Sequence, residues 1–182
     1  MRQLFFFLLA LVAAAAILTF VLPVSQKVKK SITISAPAKD IYDNLSKLEN
    51  FNRVSIWSQA DSSIVNTMKG TDGTVGASVS WKGSPEISGE GSIEITELIP
   101  DHTVSHKIQF SKPKKGKASS TFSVIGQDKK STTVTWYFEL HTPRPWNIFN
   151  LFYSLDKQMG EDFEKGLAAL KLYMEAMNRP VP

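Results

Sequence analysis

The sequence predicts an α+β domain: about six to seven antiparallel strands covered on one face by a long C-terminal helix, behind an N-terminal membrane helix. Three observations carry this. First, from Asn147 to Met177 an apolar stripe runs through Phe152, Leu155, Met159, Phe163, Leu167, Leu170, Met174 and Met177, in steps of three or four. That is the period of a helix with one buried face, and Asp156, Lys157, Glu161, Glu164, Lys165 and Lys171 fall opposite. Second, Lys27 to Leu140 reads mostly as short alternating strands joined by short turns, the pattern of antiparallel pairing with one buried sheet face. Third, Leu4 to Leu22 contains no charged residue.

The elements follow in order. Lys29–Ser35 is a strand with Ile32 and Ile34 on one face. Ala36-Pro37 ends it, and Pro37 suits the first turn of a helix carrying Ile41, Tyr42, Leu45 and Leu48. Phe51 to Trp57 is a second short helix or ordered turn. Further strands fall at Ser63–Lys69, Thr74–Lys82, Ile87–Leu98, Thr103–Ser111, Ser119–Ile125 and Ser131–Leu140. In the second of these, Val75, Ala77, Val79 and Trp81 share a face. In the fourth, Val104, His106, Ile108 and Phe110 do. In the last, Trp136, Phe138 and Leu140 do. Gly70–Gly73, Gly83–Pro85, the basic loop Lys112–Lys117 and Gly126–Lys130 are the turns, and His141–Pro145 leads into the long helix.

Leu4 to Leu22 would form a helix roughly 28 Å long, close to the hydrocarbon thickness of a bilayer. A domain of this size has no place to bury such a helix on every side. A cleaved signal peptide would have a shorter apolar run and a small-x-small exit. Here Ala13 to Ala16 lie mid-run, and Leu22-Pro23-Val24-Ser25-Gln26 is a poor cleavage site. Residues 1–26 are therefore expected to be an uncleaved single-pass anchor and 27–182 the folded domain. Lys27, Lys29 and Lys30 outnumber Arg2, which leans toward a domain on the cytoplasmic side of the cell membrane, although those lysines also fall at the first strand and leave the orientation open.

Composition narrows the chemistry. The chain has 42% hydrophobic and 21% charged residues, enough for one packed domain. It has no cysteine, which excludes disulfides, thiolate metal sites and cysteine nucleophiles. The net charge of +4 is too small to imply nucleic-acid binding. There is no Gly-rich phosphate loop, HExxH or nucleophile elbow, so no cofactor, metal site or catalytic set is implied. His102 and His141 sit near strand ends and are expected in solvent. His106 sits on the apolar face beside Val104 and Ile108. Two readings fit it: a core histidine satisfied by a backbone group or water, or a polar anchor or general acid/base. Glu90 and Glu94 lie opposite Ile93 and Ile95 and are read as solvent-facing. The loop lysines, Lys112, Lys114, Lys115 and Lys117, are either a solvated turn or a contact for anionic headgroups. Nothing in the sequence sets an oligomeric state.

One set of short motifs, in this order, resembles a known family. It comprises Ile34-Ser35-Ala36-Pro37 with Ile41-Tyr42; Leu45 through Phe51 to Trp57; Gly73, Gly76 and Trp81-Lys82-Gly83; Gly89-Glu90-Gly91-Ser92-Ile93; Phe122 with Thr133-Val134-Thr135-Trp136; and Asp162-Phe163-Glu164-Lys165-Gly166-Leu167. From about Val28 to Met177 the chain resembles the START-like superfamily, also called helix-grip, Bet v 1-like or SRPBCC. It looks closest to the bacterial polyketide cyclase/dehydrase-like branch. Phe51-Asn52 departs from it, standing where such sequences often carry a tryptophan. The resemblance implies a curved sheet gripping the C-terminal helix around an apolar cavity that takes lipids or other apolar small molecules. On that basis Trp57, Trp81, His106, Phe122, Trp136, Met159 and Phe163 are the candidate ligand-binding residues; individually each also reads as ordinary core. The expected function is a membrane-anchored binding module. The alternative is a cyclase/dehydrase-like enzyme acting on an apolar substrate with His106 as acid/base.

Overall fold

Seven antiparallel strands form one open sheet in the order β1-β7-β6-β5-β4-β3-β2 in the computed structural model, which describes residues 2–178 apart from the side chains of residues 15 and 52–54. Met1 of the expected anchor, residues 179–182 of the expected domain and the side chain of Asn52 lie outside the described residues. The strands are β1 Ser25–Ile34, β2 Val65–Lys69, β3 Ser78–Lys82, β4 Glu90–Ile99, β5 Thr103–Lys112, β6 Gly116–Gly126 and β7 Thr132–His141. Helix α1 is Arg2–Val21. Between β1 and β2 come α2 Ala38–Leu45, α3 Leu48–Val54 and α4 Ile56–Ala60, and the long α5 is Leu155–Met177.

Every strand after β2 pairs with its sequence neighbour, and β1 returns to the far edge against β7. Alternation sends Val104, Ile108, Phe122, Val124, Val134, Trp136 and Phe138 to the inner face, where all are buried. The β4–β5 ladder shifts register twice, between Glu90 and Gly91 and between Ile95 and Glu97. An extra residue on one strand bends it and increases its twist. These shifts curve the half of the sheet that α5 does not cover. Gly91 meets another need. A Cβ there would lie 2.5 Å from the indole of the cross-strand Trp81, so only glycine lets that ring lie across β4.

Helix α5 turns Leu155, Phe163, Leu167, Leu170 and Met174 inward, all buried. It is pinned to the β1 edge by polar contacts. Glu175 accepts from the Ser35 backbone N–H at 2.8 Å, Lys171 donates to the Thr33 carbonyl at 2.8 Å, and Lys30 bridges Glu164 and Asp156 at 2.9 and 3.4 Å. Gly160 leaves room for the Lys30 side chain to cross the helix.

The helix begins later than the apolar stripe predicts. Trp146–Leu151 is a short 3-10 turn, Ser154 caps α5 by accepting from the Lys157 N–H, and Phe152 is 85% exposed rather than buried. The cause lies in α1. Asn147 donates to the carbonyls of Thr19 and Leu22 at 2.7 and 3.0 Å, Asn150 to that of Pro23, and Arg144 to those of Thr19 and Phe20. The last carbonyls of a helix have no partner within it. Residues 144–150 supply those partners for α1, and a continued α5 could not do so. Met177, at the other end of the stripe, is also exposed.

Smaller corrections concern the boundaries. Three short helices follow β1, not two. Strand β1 begins at Ser25, before the alternation of Ile32 and Ile34 becomes visible. Strand β3 begins at Ser78 because the chain turns through Gly76, leaving Val75 exposed, and Ile87 lies in a loop ahead of β4. Helix α1 is long and apolar enough to cross a membrane, and apart from its C-terminal contacts it stands free of the domain.

Phe163→Ala removes the ring that α5 sets against the sheet. It should lower unfolding stability by about 3–5 kcal/mol. Leu172→Ala, on the exposed face of the same helix, should change it by less than about 0.5 kcal/mol. Thermal unfolding of the two variants in detergent micelles checks the contrast.

Candidate ligand cavity

The inner face of the sheet carries a row of aromatic contacts centred on Trp136. Its ring stacks on Phe122 at 4.8 Å between centroids, meets the edge of Phe163 at 4.5 Å, and faces Phe51 at 6.4 Å. Its indole N–H donates to the Ser120 hydroxyl at 2.8 Å, both groups buried. That bond satisfies the polar atom of the ring inside the apolar interior and sets its orientation.

On the α2 side of this row the interior is filled by Ile34, Ile41, Leu45, Val124, Val134, Leu170 and Met174. On the other side it is hollow. A cavity of about 230 Å³ lies between β3–β5, the short helices and α5. Its walls are Val79, Trp81, Ile93, Ile108, Phe110 and Phe138 from the sheet, Leu48 and Phe51 from α3, Trp57 from α4, and Met159 and Phe163 from α5. Polar groups in its lining are few: Ser55, Ser58, Asn66 and Ser88.

Two carboxylates hold the lid elements in place. Asp72 accepts from the backbone N–H groups of Leu48 and Glu49 at 2.7 and 3.1 Å. It thereby caps α3 from outside, a task Lys47 at the helix start cannot perform. Asp61 is buried at the base of the 83–89 loop. It accepts from the N–H and hydroxyl of Ser63 at 3.0 and 2.6 Å, from the Ser84 N–H at 2.8 Å and from the Ser88 hydroxyl. These donors, the Ser63 and Ser88 hydroxyls foremost, lower its pKa to about 2. Ser88 in turn offers its carbonyl to the Trp81 indole at 3.0 Å, so the loop, the carboxylate and the cavity-wall tryptophan form one unit.

Of the sequence candidates, Trp57, Trp81, Trp136, Met159 and Phe163 meet around this cavity. His106 and Phe122 lie behind Trp136 and Phe51 and are not part of the wall. Ring centroids place His106 5.7 Å from Phe51 and 6.2 Å from Phe122. The residue is 1% exposed, and among the described residues neither ring nitrogen has a hydrogen-bond partner. No backbone group of the described residues satisfies it. Burial alone pushes its pKa down to about 4, so the ring is neutral at physiological pH. His102 and His141 are exposed, as their positions at strand ends predict. Glu90 pairs with Lys112 at 3.1 Å, and Glu94 is half-buried. Among the described residues no group of three His, Asp or Glu could hold a metal ion.

The sequence reading missed the Asp61 clamp, the α3 wall residues Leu48 and Phe51, and Phe110 and Phe138. Asp61-Ser62-Ser63 carries the pattern of an aspartate bonding its own backbone two residues on, which marks a turn but not its reach to Ser84 and Ser88.

A long helix lying across a curved antiparallel sheet, with an apolar space between them, defines a helix-grip ligand-binding fold. The chain belongs to the polyketide cyclase/dehydrase and lipid transport family, whose model matches residues 25–175. No curated protein sequence matches it. Solved structures share its fold at low identity. Norcoclaurine synthase from Thalictrum flavum, in complex with dopamine and hydroxybenzaldehyde, superposes with a TM-score of 0.64 at 16% identity, over 91% of this chain and 94% of that one. The di-domain ARO/CYC protein BexL of the BE-7585A biosynthetic pathway gives 0.59 at 17% identity, over 85% of this chain and 48% of its own. Major latex-like protein 151 from Panax ginseng gives 0.57 at 14% identity, over 87% and 100%.

The partnerless His106 makes a pH prediction. Its pKa is about 4 folded and about 6.5 unfolded, so below pH 6.5 the unfolded chain binds the extra proton. Stability is therefore full above pH 6.5 and falls by up to about 3 kcal/mol as pH drops to 4. His106→Leu should flatten that part of the stability–pH curve, measured by unfolding from pH 7.5 to 4.

Proposed function

We propose that this chain is a membrane-anchored binding module that holds an apolar small molecule or lipid between its sheet and α5. The observation that carries the reading is the hollow half of the interior, walled by apolar side chains and lacking a charged group among its lining residues. Such a wall favours an uncharged, apolar guest, with hydroxyl and amide groups left to orient it. Trp57, Trp81, Trp136, Met159 and Phe163 are the contacts, and His106 and Phe122 support Trp136 from behind. The enzyme reading needs an acid or base that can reach the substrate. His106, screened by Phe51 and Trp136 and with its pKa near 4, favours the binding reading.

Helix α1 serves as the anchor, and the domain that begins with β1 at Ser25, two residues earlier than the sequence reading places it, serves as the binding domain. On this reading the domain faces the cytoplasm. Lys30 is turned onto α5, so Lys27 and Lys29 are the exposed positive charges beside the span, against Arg2 beyond it.

Two experiments test this. Native mass spectrometry of the purified full chain should show a co-purified apolar molecule. Val79→Trp, which drives an indole into the hollow, should weaken binding of an uncharged fluorescent lipid analogue, such as a pyrene-labelled diacylglycerol, at least tenfold without unfolding the protein. A variant that binds as well as wild type would place the guest elsewhere. For the anchor, the full chain should stay with carbonate-washed membranes and keep the residues before Ser25, and the domain should be shielded from protease added outside spheroplasts. A mature N-terminus near Gln26 would refute the anchor.

A further inference from the structure

A second hollow lies on the other side of Met159. It is a cleft of about 680 Å³ between the β5–β6 loop and the 3-10 turn at Trp146–Leu151. Phe110, Phe138 and Met159 line both this cleft and the inner cavity, so these three side chains form the partition between them. Its rim carries Lys114 and Lys115 on one side and Trp146, Phe149 and Tyr153 on the other.

That rim is unusually apolar for a surface. Trp146 is 61% exposed and stacks on the equally open Phe149 at 6.2 Å, and Leu151, Phe152 and Tyr153 continue the patch. Contiguous exposed apolar side chains mark a surface that something covers. Its position says what does so. The turn carrying the patch is hydrogen-bonded through Asn147 to the last turn of α1, and the Arg144 guanidinium lies 5.4 Å over the Phe20 ring. If α1 crosses a bilayer, this turn sits where the helix leaves it. Tryptophan and tyrosine concentrate at that depth, and lysines there meet anionic headgroups.

We propose that residues 146–153 with Lys114 and Lys115 form a second membrane contact, and that the cleft between them is a lipid-loading site open to the bilayer. A phospholipid would place its phosphate at the two lysines and an acyl chain over Phe110, Phe138 and Met159, toward the inner cavity. The occupant is the bilayer itself. This inference rests on the proposed anchor, and its test separates the two.

The full chain is reconstituted in vesicles of phosphatidylcholine and phosphatidylglycerol containing two tracer phospholipids, one with a diazirine on its headgroup and one with a diazirine near its acyl terminus. After irradiation, adducts are mapped by mass spectrometry. Adducts are expected on α1, on residues 146–153, and on Met159 or Phe138. Lys114→Glu combined with Lys115→Glu should lower the last two sets several-fold and leave α1 unchanged, because both lysines are exposed loop residues with no part in the core. Adducts on α1 alone would overturn the second contact while leaving the anchor. Adducts on α1 and 146–153 without Met159 or Phe138 would overturn the loading role. No adduct on α1 would overturn the anchor and this inference together.

Discussion

The contact between Phe163 and Trp136 is the constraint on which the rest depends. A single helix cannot cover a seven-stranded sheet, and the sheet's bend decides which part goes uncovered. Phe163 touches Trp136, Phe138 and Trp57 at once, at centroid distances of 4.5, 5.1 and 5.8 Å. Beyond that point toward the C-terminus, Leu167, Leu170 and Met174 are buried in the core. Before it, the sheet curves away and the short helices bridge the gap, so an apolar space remains.

That division explains where polar groups are tolerated. In the filled half, the Trp136 indole finds Ser120, and the Thr132 hydroxyl donates to the Ala36 carbonyl at 2.7 Å. His106 is the exception, an imidazole among rings whose two nitrogens find no partner among the described residues. Around the hollow half, polar bonds hold the covering pieces instead: Asp72 fixes α3, and Asp61 fixes the loop that supports Trp81. The covering elements are thus secured by carboxylates at their edges, while the surfaces they turn to the cavity are mainly apolar, with Ser55, Ser58 and Ser88 as uncharged polar points.

The features legible in the sequence are those with a local period. Alternation in β5 and β7 identified Val104, Ile108, Trp136 and Phe138 as inward, and the spacing of Phe163, Leu167, Leu170 and Met174 identified the buried face of α5. Long-range effects were not legible. Phe152 continues the helical stripe by spacing, yet the demand of α1 for carbonyl partners holds the chain in a tighter turn there. His106 and Phe122 share the inner face with Ile108, but only the sheet's bend and the position of Phe51 decide that the first two sit behind the wall and the third upon it. No periodicity records the reach of Asp61 to Ser84 and Ser88, because it joins residues far apart in the chain.

Only residues 22–24 separate the end of α1 from the start of β1, and residues 144–150 fasten α1 a second time. The domain therefore has no stalk. With α1 lodged in a bilayer, it would keep one height and one tilt, unable to swing across a gap to another surface. A shuttle needs length to travel; a chain built this way would hold a fixed station on its patch of membrane.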